Sequence, residues 1–393
     1  MKKIFIFLII FLLQIAPVFA KEELVENESE ETLIKKATEQ VMEVTKETLG
    51  ISDFLEASKE YTNNIFENLS LEEIFSNAVK GKTPIDFLKN SFFSLFGKEI
   101  LDSVRLMTNV LIIIIIHSVM KAIIENLGNN SSAKIAYFVQ YLAIVTLVIQ
   151  SFSSVISITK EAISNLTNFM NLLIPLLSTL ILTTGCITIS NIVQPILIFL
   201  SSMLGVFFNN FLIPLLLVSI SLSIVSNISS KIELNKLSKF FKSSIVWLLG
   251  ITLTIFTCLL SVEGTLGSSV DALTAKTTKA AVSNFIPVVG KILGDTTETI
   301  IGCSNILKNA VGVIGLIIII GIVLVPIVKI LTLWLAFCLT SAICEVIADE
   351  KIVKLTTQIS DSYKILLGIL FSVSAMFLIS ITLVLKITNN VVM

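Results

Sequence analysis

Charged residues are scarce in this sequence, and histidine is almost absent. Lys, Arg, Asp and Glu together make up 15% of the 393 residues, whereas hydrophobic residues make up 54%. Soluble domains carry about 25% charged residues. The composition therefore excludes an ordinary water-soluble domain and predicts an integral membrane protein.

Motifs for catalysis are missing. The single histidine, His117, lies in an isoleucine-rich run without a carboxylate at the spacing of a triad or a zinc site. We interpret it as a helix-contact or boundary residue. The sequence has no P-loop, no HExxH, no GxGxxG after a strand and no basic patch interleaved with aromatic residues. We expect no enzymatic activity, no cofactor and no nucleic-acid partner.

Cysteines at metal-binding spacing are missing too. The five cysteines stand in or near apolar runs, without CxxC pairs or neighbouring histidines: Cys186, Cys258, Cys303, Cys338 and Cys344. Since a structural zinc site needs clustered thiolates or imidazoles, we predict no metal site and interpret all five as small core residues.

The N-terminus has the pattern of an export signal. Two lysines precede a short apolar stretch and a Val-x-Ala site, so we predict a signal peptide over residues 1–20. An uncleaved anchor is the alternative. In both cases the positive-inside rule keeps the charged start inside and exports the residues that follow.

An acidic segment follows over residues 21–100. It holds nine lysines and seventeen acidic residues, whereas residues 101–393 carry a net charge of +5. A capping box at Ser70 and the Thr-Pro pair ending at Pro84 each predict the start of a helix. The second helix is rich in phenylalanine and is expected on the membrane surface or against the bundle. We predict a helical, extracytoplasmic segment.

The remainder contains repeated apolar runs near the length that a membrane span requires. They cover about residues 104–124, 135–157, 166–185, 192–208, 211–228, 244–262, 310–329, 331–348 and 365–387. Because a span takes about 20 residues, the shorter runs at 192–208 and 331–348 could be re-entrant. The fold class predicted is all-α, a polytopic membrane helix bundle with seven to nine spans.

We divide residues 101–393 into three parts. Residues 101–262 form a first membrane half, residues 263–309 an amphipathic or re-entrant segment, and residues 310–393 a second membrane half. The lysines of 231–242 predict a cytoplasmic loop in contact with anionic membrane lipid. The same count of nine spans places Lys308 and the lysines of 276–291 outside, against the usual charge bias.

Prolines hint at an internal repeat. Pro175 and Pro214 stand 39 residues apart in similar apolar contexts, and Pro287 and Pro326 have the same separation. Proline-interrupted segments in matching places are typical of repeated transporter folds. The alternative is that the two pairs of prolines are unrelated helix kinks. The candidate kinks are Pro175, Pro214 and Pro326.

Residues 284–309 are the candidate pathway or gate, because charge, proline and glycine stand there between two apolar runs. On a helix five polar residues would share one face: Lys291, Asp295, Glu298, Asn305 and Asn309. Asn284 and Pro287, which precede them, complete the candidate set. A capping box at Asp295 would start a separate half-helix. An interfacial helix lying on the membrane is the alternative.

Charges otherwise stand near the ends of the apolar runs, while small residues are frequent inside them. A charge at the bilayer centre costs at least ~2.5 kcal/mol, so this placement favours spans that pack together over spans that relay protons. Serines and glycines suited to close helix contact include Ser219, Ser221, Ser223, Ser226, Gly312, Gly315 and Gly321.

Several stretches together resemble the stage III sporulation protein AE family of endospore-forming bacteria. They are residues 274–291, 295–300 and 307–315, with support from 168–177 and 222–226. The resemblance extends from about residue 98 to the C-terminus. Before that, only the order of signal peptide, acidic segment and aromatic helix is similar.

The resemblance implies a location and partners. It implies a polytopic protein of the mother-cell membrane that surrounds the forespore, with its N-terminal segment in the intermembrane space. The implied partners are other stage III A sporulation proteins and, through the complex, the forespore stage II sporulation protein Q. The implied function is a membrane subunit of a channel or secretion complex needed after engulfment. A self-sufficient small-solute permease is the alternative function.

Overall fold

The structure is a computed structural model that describes residues 49–61, 71–79, 85–126, 130–228, 234–285 and 289–392. These residues form helices joined by short connections, without a strand among them, so the all-α prediction is confirmed for this part. In chain order the helices are α1 Ile51–Ser58, α2 Leu71–Val79, α3 Ile85–Asn126, α4 Asn130–Thr183, α5 Ile187–Phe207, α6 Ile213–Ile228, α7 Asn235–Phe285, α8 Val289–Ile347 and α9 Glu350–Val392. The predicted signal peptide over residues 1–20 lies outside the described residues.

Two helices lie where the sequence predicts them, α2 from Leu71 and α3 from Ile85. The predicted cap at Ser70 and the predicted first helical residue Pro84 lie outside the described residues. Helix α3 then continues past residue 100 into the first apolar run. The acidic segment and the first membrane half are therefore joined by one helix.

Several predicted spans are joined end to end. The runs at 135–157 and 166–185 lie on one helix, α4, and the runs at 310–329 and 331–348 lie on another, α8. Six helices in the described part are long and apolar enough to cross a membrane, so the count of seven to nine is not confirmed. The half-helix predicted to start at Asp295 is wrong, because α8 already begins at Val289.

The prolines lie inside helices, and one of them changes the hydrogen-bond pattern. Pro175 and Pro326 lie within α4 and α8, which continue through them. Just before Pro214, α5 and α6 are joined by a π-helical turn, Phe208–Leu212, closed by the Ile213 amide donating to the Phe208 carbonyl. Proline has no amide proton and crowds the preceding turn, and the wider π turn accommodates it. Pro287 lies outside the described residues.

Helices α8 and α9 form the centre of the bundle. They pack extensively on each other, and α3 and α4 cover α8 while α6 and α7 cover α9. About 72% of the most apolar stretch of each is buried, compared with 17% for α7. The most hydrophobic helix, α8, is thus largely enclosed by protein, whereas α7 is mostly exposed.

The long helices exceed the thickness of a bilayer. The membrane-length stretch of α4 has 43 residues and that of α8 has 47. At 1.5 Å per residue these measure about 65–70 Å, whereas a hydrocarbon core is about 30 Å thick. Only about half of each helix can be immersed at once.

A band of polar residues crosses the helices near their midpoints. Its members on four segments are Asp102, Arg105, Lys160, Glu161, Asn209, Asn210 and Lys329. The Asn209 side chain donates to the Lys160 carbonyl at 3.4 Å, and Ser103 donates to Thr332, next to Lys329, at 2.9 Å. Glu161 is exposed. Because exposed charge is costly in hydrocarbon, this polar band marks one edge of the immersed half.

Exposed apolar side chains lie on both sides of the polar band. On the side that we call the belt half, they include Ile112, Ile115, Ile116, Phe138, Val139, Val218, Val246, Trp247, Leu335, Leu339, Ile343 and Val346. On the other side, they include Ile187, Phe199, Met203 and Val206. Both sides thus contribute to helices that are long and apolar enough to cross a membrane.

The other side, which we call the far half, is covered by the N-terminal helices. It contains α5, the part of α4 after Glu161 and the part of α8 before Lys329. Phe54 and Tyr61 place their rings 6.1 and 5.7 Å from the buried Phe169 of α4. Burial raises the pKa of Tyr61, and the neighbouring Glu60 adds to the shift. The acidic segment thus packs on the bundle through these aromatic residues.

Close packing of α8 on α9 and α4 depends on glycine. A Cβ at Gly312 would overlap the side chain of Leu385, and a Cβ at Gly315 would lie 2.6 Å from Leu173. This confirms two of the predicted close-contact glycines. Gly302 lies on the same helix with open space around it.

Gly312→Ala is therefore expected to destabilise the protein by about 1–3 kcal/mol through overpacking. Gly302→Ala is the matched control and should stabilise by up to about 1 kcal/mol, because alanine is the better helix former. Thermal unfolding of the purified protein in detergent measures both. Equal shifts for the two variants would contradict the close packing at Gly312.

Candidate functional site

The residues predicted to form the pathway lie along the end of α7 and the beginning of α8. Asn284 stands at the end of α7, and Lys291, Asp295 and Glu298 stand in the first turns of α8. The side chains of these four residues, and Pro287 entirely, lie outside the described residues. Whether they share a water-lined face stays a prediction.

Asn305 and Asn309 are described, and both are half-buried on α8. Asn305 accepts a hydrogen bond of 2.9 Å from the ammonium group of Lys308. Lys308 is fully buried, at 0% exposure. The structure therefore adds Lys308 to the candidate site, and its predicted position on the outer side of the membrane stays a prediction.

The surroundings of Lys308 are polar on one side. Ser304 is buried one turn earlier, and its hydroxyl has no hydrogen-bond partner among the described residues. Lys308 also interacts electrostatically with Cys186, which is buried at the connection between α4 and α5. Buried charge is stable only with nearby acceptors, so this cluster is a constrained polar site within the far half.

A tight turn positions the other side of this cluster. Helix α4 ends as the Gly185 amide donates to the Leu182 carbonyl at 3.0 Å, and Gly185 has a φ of 85°. Glycine adopts this left-handed conformation without strain. Cys186 follows as the N-cap of α5. The turn thus brings two antiparallel helices to the level of Lys308.

A second polar cluster joins α6, α7 and α9 in the belt half. The Gln358 side chain accepts from Asn227 at 2.7 Å and donates to Asn235 at 2.9 Å. The Gln358 carbonyl accepts from the Lys242 ammonium at 2.7 Å. This Gln358 network pins three helices together at one end of the bundle.

Serines continue the same seam. Ser238 of α7 lies 3.1 Å from Ser219 and 2.6 Å from Ser223 of α6, hydroxyl to hydroxyl. The prediction that serines on this run mediate close helix contact is confirmed for Ser219 and Ser223. The sequence did not predict the amide residues of the Gln358 network, because their partners come from positions more than 100 residues away.

The cysteines divide into two groups. Cys186, Cys303 and Cys344 are buried, as predicted, and none of the five cysteines forms a disulfide. The interpretation as core residues is wrong for Cys258 and Cys338, which are exposed. Both stand in membrane-length stretches, Cys258 on α7 and Cys338 on α8, where an exposed cysteine behaves as a small apolar residue facing lipid or another helix. His117 lies on α3 with its side chain outside the described residues.

A small cavity lies between α4, α5 and α9. It offers about 10 Å³ to the centre of a water molecule, and its walls include Ile174, Leu177 and Val193, with Gln194 as a polar member. Such a volume holds about one water. The cavity is too small to bind a solute.

Both a family model and a known protein match this chain. The sequence model of the family described as Stage III sporulation protein AE matches residues 69–388. Stage III sporulation protein AE of Bacillus subtilis (strain 168) is 32% identical over 320 residues, which cover 81% of this chain and 80% of that protein. No solved structure matches.

Asn305→Ala is expected to destabilise the protein by about 1.5–3 kcal/mol, because the buried ammonium of Lys308 loses a hydrogen-bond acceptor. Asn309→Ala, half-buried one turn later, is the control and should cost less. Adding Lys308→Met to Asn305→Ala should restore much of the loss, since no charge remains buried. Unfolding midpoints in detergent measure all three. A double variant no more stable than Asn305→Ala would contradict this assignment.

Proposed function

The chain belongs to the stage III sporulation protein AE family, and on that basis we propose that it acts in sporulation as a membrane subunit of the stage III A channel or secretion complex. The family match over residues 69–388 is the observation that carries the proposal. It covers the belt half, most of the far half and the helix that joins them to the acidic segment.

The structure supports a subunit that reaches beyond its own membrane. The far half extends the bundle about 30 Å past the polar band, by the rise of an α-helix. The lysines of α7 nearest the Gln358 network, Lys236, Lys239 and Lys242, lie at the opposite end. The positive-inside rule assigns that end to the cytoplasm, so the far half projects on the exported side.

This orientation agrees with the predicted export of the N-terminal segment. Helices α1 and α2 follow the predicted signal peptide and pack on the far half, through Phe54 and Tyr61 against Phe169. In the mother-cell membrane the far half and these helices stand in the intermembrane space. There they can meet other stage III A proteins and, through the complex, the forespore stage II sporulation protein Q.

A self-sufficient small-solute permease is the second candidate function. The buried cluster of Lys308 and Asn305 favours it, because buried ionisable groups in membrane proteins often mark a transport route. The cavity of about 10 Å³ beside α4 gives it less support, since one chain needs room for its solute. Uptake by the full chain in proteoliposomes separates the two candidates.

Affinity purification of the tagged full chain from cells held after engulfment tests the main proposal. We expect other stage III A proteins to co-purify, because the projecting far half offers surface to them. An unrelated polytopic membrane protein carrying the same tag is the control. Purification of the chain alone, together with solute uptake in proteoliposomes, would contradict the complex and support the permease.

A further inference from the structure

Two neighbouring amides, Asn209 and Asn210, stand in the apolar run between α5 and α6. The backbone there forms the π-helical turn Phe208–Leu212. Such turns are rare and are frequently found at functional sites. Asn209 is half-buried within the turn, whereas Asn210 is exposed. The turn therefore holds one amide side chain against the bundle.

The turn leaves the backbone carbonyl of Asn209 without a helical donor. In the α register its donor would be the Ile213 amide, which donates to the Phe208 carbonyl instead. In the π register its donor would be residue 214, which is proline and has no amide proton. Pro214 and the wide turn together thus keep one backbone oxygen available as an acceptor.

The side chain of the same residue supplies a second acceptor. The Asn209 Nδ2 group donates to the Lys160 carbonyl at 3.4 Å and to the Ser164 hydroxyl at 3.0 Å. Both amide protons are thus used, and these two bonds fix the orientation of the amide. The Oδ1 atom is buried and accepts no hydrogen bond among the described residues. A buried acceptor in this position is costly unless a bound group satisfies it.

These two oxygens of Asn209 suit a single small cation. Because they belong to one residue, covalent geometry keeps them within reach of the same ion. Amide and backbone carbonyl oxygens are ligands for hard cations, and helix carbonyls freed from backbone bonding coordinate sodium in membrane transporters. Both oxygens are neutral, which favours a monovalent ion over a divalent one.

The charges around the turn permit a cation there. Asn209 contacts the carbonyl of Lys160, whereas helix geometry directs the lysine side chain the other way, toward the N-terminus of α4. Glu161, the next residue, is exposed at the same level and balances the lysine charge. Ser164 and Asn210 are exposed as well. Since an exposed carboxylate requires water or headgroups, an ion can reach the turn from solvent.

We propose that the π-helical turn binds one monovalent metal cation, sodium or potassium, through the Oδ1 and backbone carbonyl oxygens of Asn209, with water completing its coordination. The ion fixes the join between α5 and α6 at the level of the polar band. This site goes beyond the proposed function and does not depend on it. A water molecule is the competing occupant, and the experiment separates the two.

The unfolding midpoint of the purified full chain in detergent tests the site. Sodium chloride and potassium chloride are each titrated against choline chloride at constant ionic strength, so that only the identity of the cation changes. Binding of one ion predicts a saturable rise in the midpoint of at least about 2 °C over choline. The metal ion that saturates at the lower concentration is the preferred one.

Variants of the turn locate the ion. Asn209→Ala should abolish the rise, and Asn210→Ala, at the exposed neighbour, is the matched control that should retain it. Pro214→Ala supplies an amide that can pair with the Asn209 carbonyl and should reduce the rise, whereas Pro195→Ala removes the same ring from α5 and should not. Asn209→Asp keeps the shape and adds negative charge, so it should increase the effect of the cation.

Equal midpoints in sodium, potassium and choline would show that water occupies the turn and would overturn the proposal. A rise retained in Asn209→Ala would place the ion elsewhere and overturn it too. A direct measurement needs no variant: radioactive sodium or rubidium, the latter replacing potassium, should bind the native chain saturably at about one ion per chain. Absence of saturable binding of either ion would reject the site.

Discussion

A bilayer offers about 30 Å of hydrocarbon, and helices α4 and α8 are about twice as long. This mismatch decides how the rest of the molecule is arranged. We propose that the polar band through Lys160, Glu161 and Asn209 divides each long helix into an immersed part and a projecting part. Both halves carry exposed apolar side chains, such as Trp247 in the belt half and Phe199 in the far half, and we propose that the belt half is the part that lipid surrounds.

We propose different roles for the two halves. The far half packs the rings of Phe54 and Tyr61 against Phe169 and so holds the N-terminal helices. The belt half contains the Gln358 network, which joins α6, α7 and α9. In the proposed complex the belt half anchors the subunit in the membrane, and the far half offers the surface on which partners dock.

Sequence patterns identified the all-helical fold and the family. They could not show that neighbouring apolar runs belong to one helix, because run length reports hydrophobicity and not the bilayer depth of each residue. The burial of Lys308 and the contacts of Gln358 were missed for a related reason. Their partners come from distant parts of the chain, and local periodicity carries no information about them. Asn305 was identified because it stands on a polar helix face.

Lipid contact at two equally exposed sites tests the central claim most directly. Trp247 of the belt half is 67% exposed, and Phe199 of the far half is 65% exposed. The measurement compares quenching by brominated lipid in two single-tryptophan proteins: one retains Trp247 with Trp334→Phe, and the other carries Phe199→Trp with both native tryptophans replaced by phenylalanine. The account predicts strong quenching in the first and weak quenching in the second. Equal quenching, or the reverse order, would show that the bilayer does not surround the belt half alone.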